Sequence, residues 1–423
     1  MKITLLTMGT RGDTQPFISL AVRLKEQGHQ VILGARPDFA DLTKKYGVEF
    51  APLGLPYKSF IMDNTKGFES GNFLKIAMQG VKQRKLMFEN MGEDAYRAAQ
   101  GSDAIIFKYS WFAGYSIAEK LGIPCAAAML FPITPTKEFP CFMIGEGKNR
   151  GKLMNAVFWW VSDQVIIWQY QRSYDTKLRR KMGLRPLPFF GPHKRQAKEN
   201  MPVFYAYSPT VLPKPSDWPE RINVTGIWPS LKPACWEPSA NLLQFLENGA
   251  VPVYIGFGSM PSNAEKTLVM ILKALELSGN RGVILAGWAD IGSAGKLPKT
   301  VFCVNDEPHH WLFPKMAAIV HHGGAGTTTS ALLSGVPSII TPSTIDQHSW
   351  GRQVHALGAG PAPIPFKNLT PELLATAITE ATTNKIMRNR AFEISKVLEK
   401  EDGLKQTLDV FVQFCNSKIE RAK

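Results

Sequence analysis

The chain has 423 residues, 44% of them hydrophobic and 20% charged, which excludes a disordered or fibrous polymer and leaves room for two or three core-forming domains. A net charge of +14 favours anionic partners such as nucleotide phosphates or an acidic membrane surface. No recognised motif supports nucleic acid, which is not expected as a partner. The basic residues are not confined to one block, although Lys82–Lys85 and Lys177–Lys181 form local clusters. Cys125, Cys141, Cys235, Cys303 and Cys415 stand far apart, with no C-x-x-C. They read as free thiols of a reducing compartment.

After Lys2 comes an apolar run ending at Gly9, which has the length of a strand and not of a secretory h-region. The expected location is the cytoplasm. Buried strands are expected at Ile3–Thr7, Val31–Ala35, Ala104–Phe107 and Cys125–Leu130. Helical patterns fill Gln15–Gln27 and Phe112–Leu121, and Gly28 and Gly122 stand where left-handed caps are wanted. The stretch Leu153–Trp168 is too short, and too interrupted by Ser162, Asp163 and Gln164, to span a bilayer. It is expected as a core or pocket-lining helix, with weak peripheral association at an anionic membrane left open.

The alternation then repeats. Strands are expected at Val253–Phe257, Gly282–Ala286, Val301–Val304, Ala318–His321 and Ser338–Thr341. Helices are expected at Ala264–Ser278, Pro308–Lys315, Thr327–Leu333 and Gln347–Leu357. Seven prolines between Pro209 and Pro238 defeat a long helix or a central strand and read as a semi-rigid linker. The expected class is therefore α/β, with two facing Rossmann-like domains of parallel sheet and a cleft between them. Residues 1–212 form the first domain, with an aromatic insert at about 131–201. Residues 213–238 form the linker and 239–400 the second domain. Residues 401–423 are expected as a helix packing back on the first domain.

In doubly wound sheets ligands sit at the carboxyl ends of strands, so the loops there are the informative ones. His321-His322-Gly323-Gly324-Ala325-Gly326-Thr327-Thr328 ends a strand and opens a helix. Small residues admit a phosphate to the backbone, the helix start favours an anion, and His322 and the threonine hydroxyls add donors. It is neither a P-loop nor G-x-G-x-x-G. Adjacent strand residues point to opposite faces, so neither His321–His322 nor His309–His310 suits one metal ion, and no D-x-D occurs. No metal and no cofactor are expected.

Gly9-Thr10-Arg11-Gly12-Asp13 follows the first strand; by itself Asp13 reads first as a helix cap, and functionally as a general base facing the cleft. Asp346-Gln347 pairs acceptors with donors, as sugar hydroxyls require, or is a helix cap. Gly256-Phe257-Gly258-Ser259 offers a further hydroxyl to a phosphate, or is a glycine-requiring turn.

Together with Pro308-His309-His310-Trp311-Leu312-Phe313 and Trp350, these loops resemble the GT-B glycosyltransferases that use UDP-sugars. The similarity is to the branch holding sterol glucosyltransferases and the glycopeptide and macrolide antibiotic glycosyltransferases. It implies that His322, Gly324, Ala325, Gly326 and Thr327 hold the diphosphate with Ser259, while Thr10, Arg11 and Gly12 reach across from the first domain. Val304 and His309 would flank the uracil and ribose, Asp346 and Gln347 the sugar, and Asp13 would be the base. The sterol branch usually has Asp where this chain has His310. The resemblance further implies an inverting, metal-independent transfer of a hexose, glucose by likeness, from a UDP-sugar to a small apolar hydroxylated acceptor. Phe131, Phe158, Trp159 and Trp168 are the expected acceptor-pocket residues. A UDP-sugar epimerase or hydrolase on the same fold, and a non-catalytic nucleotide- or lipid-binding module, are the alternatives.

Overall fold

The computed structural model describes residues 1–56, 90–232, 236–257, 264–286, 297–305, 307–344 and 346–422. Ser259, the Lys82–Lys85 cluster and Cys235 lie outside the described residues. Two parallel sheets carry the molecule. The first holds β1 (Lys2–Leu6), β2 (Gln30–Ala35), β3 (Glu49–Pro52), β4 (Ala104–Lys108), β5 (Cys125–Met129), β6 (Val203–Tyr205) and β7 (Ile222–Val224). Their spatial order is β3-β2-β1-β4-β5-β6-β7. The second holds β8 (Val253–Gly256), β9 (Gly282–Leu285), β10 (Val301–Val304), β11 (Ile319–His321) and β12 (Ser338–Ile340), in the order β10-β9-β8-β11-β12.

The continuous apolar strands are buried, as sheets covered on both faces require; Ile3, Leu5, Ile105, Ile106, Val253, Ile255 and Val320 are all inaccessible. Strands β3, β6 and β7 were not expected from the sequence. The last two are three residues long and, unlike the equally short β11 and β12, have no helix between them to frame the run. β7 lies inside the proline-rich segment read as linker, and among the described strands it pairs with β6 alone. An edge strand needs partners on one side only, and Pro219 and Pro229 fall outside the triplet.

Helix α1 (Arg11–Glu26) starts four residues before the expected Gln15, because Thr10 and Asp13 form a capping box at its N-terminus. Helix α2 (Ala113–Leu121) ends on Gly122 at φ 68°, the left-handed cap the sequence suggested. In the insert, α3 (Lys152–Val161) runs through a π-helical stretch, Ser162–Gln169, into α4 (Tyr170–Lys181). Its inner face supplies core: Trp159 meets Phe139 at 5.9 Å between ring centroids, and Trp168 meets Phe112 at 5.4 Å.

The second sheet is flanked by α5 (Ala264–Ser278), α6 (Ala325–Leu333), α7 (Gln347–Ala356), α8 (Pro371–Thr383) and α9 (Lys385–Leu398). Helix α10 (Gly403–Ala422) crosses to the first domain, where Leu404, Leu408, Phe411 and Cys415 join Phe17, Leu20 and Leu24 in one apolar cluster. The Trp228 indole donates to the Thr407 hydroxyl at 3.0 Å, tying the interdomain segment to this helix. The domains also meet through aromatics. Trp350 of α7 lies 5.2 Å from Phe142 and 5.9 Å from Tyr207, edge to face.

Strand order reverses between β1 and β4 in the first sheet, and between β8 and β11 in the second. The loops leaving these strands therefore open onto crevices that flanking helices cannot fill.

Candidate active site

The first crevice is built from β1 and β4. Gly9 leaves β1 at φ 126°, and a Cβ there would stand 2.1 Å from Asp13 Oδ2. Only glycine lets the Asp13 carboxylate fold back over its own loop. Asp13 Oδ2 accepts from the Thr10 amide at 2.9 Å and from its hydroxyl at 3.2 Å. Asp13 Oδ1 accepts from Lys108 Nζ at 2.6 Å. The same ammonium donates to the Met8 carbonyl at 2.9 Å. Asp13 is thus the N3 member of the capping box, and its second carboxylate oxygen is held by Lys108.

Lys108 was not singled out in the sequence. The available signal was a lysine closing an otherwise apolar strand, Ala104-Ile105-Ile106-Phe107-Lys108, at its carboxyl end. A charge in that position wants a partner, and β1 is the neighbouring strand that supplies it.

The second crevice opens after β11. Gly323 sits at φ 88°, and a Cβ there would press on Ile340 at 2.6 Å. At Gly324 a Cβ would meet His322 Nε2 at 2.5 Å. Gly324 caps α6 without a side-chain bond, and the first intrahelical bond of that turn runs from the Thr328 amide to Gly324 O at 2.9 Å. The amides of Ala325, Gly326 and Thr327 therefore precede any helical acceptor, and the helix dipole adds to their positive field.

His309, His321 and His322 line the same end of the sheet. Burial pushes His309 and His322 down to about 4, and Arg11 adds to the effect at His309. His321 is held well below the usual imidazole range by burial, with its histidine neighbours adding to the effect. All three are neutral at pH 7, so they offer hydrogen bonds and not charge. His309 stacks on Phe313 at 4.2 Å. The rings of His321 and His322 are perpendicular, 6.5 Å apart. His321 Nδ1 accepts from the Gly323 amide at 3.1 Å, a local use the sequence did not reveal.

Across the cleft, the N-termini of α1 and α6 converge: a Cβ on Gly326 would lie 4.0 Å from Gly12 O. A groove between them is lined by Pro16, Leu130 and Trp228 on one side and His309, Ala325 and Gly326 on the other. Thr10, Arg11 and Gly12, at the start of α1, are exposed. Asp346 caps α7 and approaches the same crevice. Burial raises its pKa to about 7; the Asp13 carboxylate also raises it, and the Trp350 indole and Lys108 oppose the rise. Gln347 accepts from the Ser343 and Thr344 amides at 2.9 and 3.2 Å, which leaves its NH2 as the donor end.

Val304 ends β10 buried in the second domain's core, and its carbonyl accepts from the Ala286 amide at 2.8 Å. The expected pocket residues divide. Phe131 and Phe158 are half-buried, the latter beside Gly145 and under the Arg150 guanidinium at 5.5 Å. Trp159 and Trp168 are wholly buried, with their indoles on the Phe139 and Phe189 carbonyls. Large apolar rings on a helix facing the sheet went to the core, and in this conformation neither meets solvent. Among the described residues, no three His, Cys, Asp or Glu side chains group as metal ligands.

Two switch-point crevices facing each other across a cleft, one with a held carboxylate and one with an open helix start, define the class: a GT-B glycosyltransferase. Residues 3–140 match the glycosyltransferase family 28 N-terminal domain, and residues 282–401 match the erythromycin biosynthesis protein CIII-like C-terminal domain. The chain is 36% identical to the sterol 3-beta-glucosyltransferase UGT80B1 of Arabidopsis thaliana, over 97% of its own length and 68% of the relative's. It is 34% identical to UGT80A2 of the same plant, over 99% of this chain and 66% of that one. A sterol 3-beta-glucosyltransferase of Debaryomyces hansenii is 33% identical, but this chain spans only 26% of it. In fold, it resembles the glycosyltransferase VinC crystallised with dTDP, with a TM-score of 0.68 at 19% identity over 99% of this chain and all of that one. The spinosyn forosaminyltransferase SpnP gives 0.69 at 15%, over 98% and 99%. The chain belongs to the family 28 glycosyltransferases, within the group that holds the sterol 3-beta-glucosyltransferases. It is an enzyme, a UDP-glycosyltransferase.

Proposed function

We propose that the chain transfers a hexose, glucose by analogy with its relatives, from a UDP-sugar to the hydroxyl of an apolar acceptor. A sterol is the first candidate on that analogy; other lipids and polyketide or phenolic natural products share the required chemistry. The observation that carries this reading is the pairing of Asp13, held at the carboxyl end of β1 by Lys108, with the uncapped start of α6 across the cleft. Asp13 takes the proton of the acceptor hydroxyl as its oxygen attacks the anomeric carbon from the face opposite the nucleotide. That single displacement inverts configuration. The departing diphosphate gathers charge where the Ala325, Gly326 and Thr327 amides and neutral His322 donate, without a metal ion. Thr10 and Arg11 contribute from the first domain, as does Ser259 in the second. Asp346 and Gln347 hold sugar hydroxyls, and the loop after Val304 with His309 flanks the nucleoside.

Incubation with UDP-glucose and a panel of sterols and other apolar alcohols, read by mass, tests the reading. One hexose gained by an acceptor is the expected result. Release of free glucose or an epimerised donor, with no acceptor gaining mass, would establish the hydrolase or epimerase reading instead. Retention of configuration in the glycoside would overturn single displacement, and loss of activity with a chelator would overturn the metal-free step.

A further inference from the structure

The insert carries a surface apart from the cleft residues described above. Between Lys148 and Lys198 the sequence holds twelve Lys or Arg against two Asp; Arg179 is buried on Glu119, and Lys148, Lys181 and Arg195 pair with Glu146, Glu93 and Glu119 or Glu199, so the cationic surplus rests on others, Arg150, Lys152 and Arg172 among them. Both aspartates are withdrawn from the surface. Asp175 is buried and accepts from the Ser116 hydroxyl at 2.7 Å, and half-buried Asp163 faces His193 at 3.4 Å.

On this cationic ground the helical rod turns apolar side chains outward. Leu153 is 78% exposed, Trp160 55% and Phe190 62%, and Val157, Val165, Ile166 and Phe189 are exposed with them. Leu153, Val157 and Trp160 share one face of α3 by their spacing. The π-helical stretch that follows has wider turns, so Val165 continues the line begun at Trp160. The Phe189–Phe190 loop is fixed to the same rod, its Phe189 carbonyl accepting from the Trp168 indole at 2.5 Å and from Gln169 at 3.0 Å. Cations rim the stripe. Lys152 precedes Leu153, the Arg150 guanidinium covers Phe158, and that of Arg172 lies over the Phe189 ring at 4.5 Å. The rod's inner face already fills the core through Trp159, Ile167 and Trp168, so the outer stripe is surplus to folding. Water-exposed apolar side chains in such a line mark an interaction surface.

We infer that this face docks on an anionic lipid bilayer, with the rod lying in the interface plane. Aliphatic and aromatic side chains enter the headgroup boundary, and Lys and Arg meet the negative surface potential. No helix among the described residues is long and apolar enough to cross a membrane. Nucleic acid would use the cations but leave Leu153, Val157, Val165 and Ile166 without a counterpart. The face also adjoins the cleft. Just before α3, the Glu146 carbonyl accepts from Arg352 of α7 at 2.9 Å, and Phe158 borders Gly145. Docking thus brings the cleft mouth to the phase that dissolves an apolar acceptor.

Co-sedimentation of the full chain with phosphatidylcholine vesicles, with and without phosphatidylglycerol, tests this without sugar transfer, so it stands or falls apart from the proposed function. Binding is expected with phosphatidylglycerol, weak on phosphatidylcholine alone, and reduced by salt. Trp160→Ser, and the triple variant Leu153→Ser with Trp160→Ser and Phe190→Ser, should lower vesicle affinity, the triple on the order of tenfold or more, with melting temperatures kept. Wild-type-like vesicle binding by a folded triple variant would overturn the inference. So would no binding of the wild type at low salt, or a dimer in light scattering that the triple variant abolishes.

Discussion

Lys108 Nζ lies 2.6 Å from Asp13 Oδ1, joining residues 95 positions apart at the carboxyl ends of adjacent strands. The other carboxylate oxygen is held by Thr10, so the Asp13 side chain is fixed at both ends before any substrate arrives. Such fixation favours a group that must meet an acceptor hydroxyl in one orientation. Replacing Asp13 by Asn keeps size and capping while removing the base. Turnover should fall by about two to four orders of magnitude. UDP affinity by calorimetry should hold, and near-normal turnover would remove Asp13 from that role.

Lys108→Met separates orientation from chemistry. The ammonium also donates to Met8 O, so its loss frees both the loop and the carboxylate. The expected result is a kcat lowered by up to about a hundredfold, with UDP affinity preserved and part of the rate recovered in Lys108→Arg. A variant with unchanged kcat would make the pair a structural ion pair only.

Gly324→Ala tests the nucleotide side. The added methyl would press on His322 Nε2 at 2.5 Å and displace either the ring or the start of α6. UDP affinity should drop roughly tenfold, the size expected when one or two hydrogen bonds lose their geometry. The chain should still melt cooperatively. Unaltered UDP binding would place the diphosphate elsewhere.

Asp346 gives a pH signature. Its pKa is about 7 in the fold, against the ordinary carboxylate range in the unfolded chain. Between about 4 and 7 the folded form holds more protons, so this group's contribution to stability falls as pH rises through that window. Asp346→Asn removes the penalty. Its melting temperature relative to wild type should climb across the window by on the order of a few degrees and level off above it. A difference independent of pH would show that Asp346 is not titrating there.

Much of the architecture was legible locally. Continuous apolar runs between helical patterns gave nine of the described strands, and glycines at strand ends marked the loops that open onto the two crevices. What escaped was short or distant. β6 and β7 have three residues each with no helix between them to frame the run, and β7 hid among prolines that in fact flank it. The tryptophans of the insert looked like pocket walls because an aromatic run has the same composition whether it faces a ligand or a sheet. Orientation about the helix axis decided that Trp159 and Trp168 are core and Trp160 is surface.

Sequence alone determined the repeating strand-helix units, the phosphate-compatible loop after β11 and the acid after β1, because these depend on neighbours within a few residues. Tertiary structure alone decided that Lys108 holds Asp13, that Gly12 opposes Gly326, and that Asp346 is forced toward its neutral form. Those facts follow from strand order and domain closure. Such contacts join parts of the chain that only crossover connections bring together, and no local spacing encodes them.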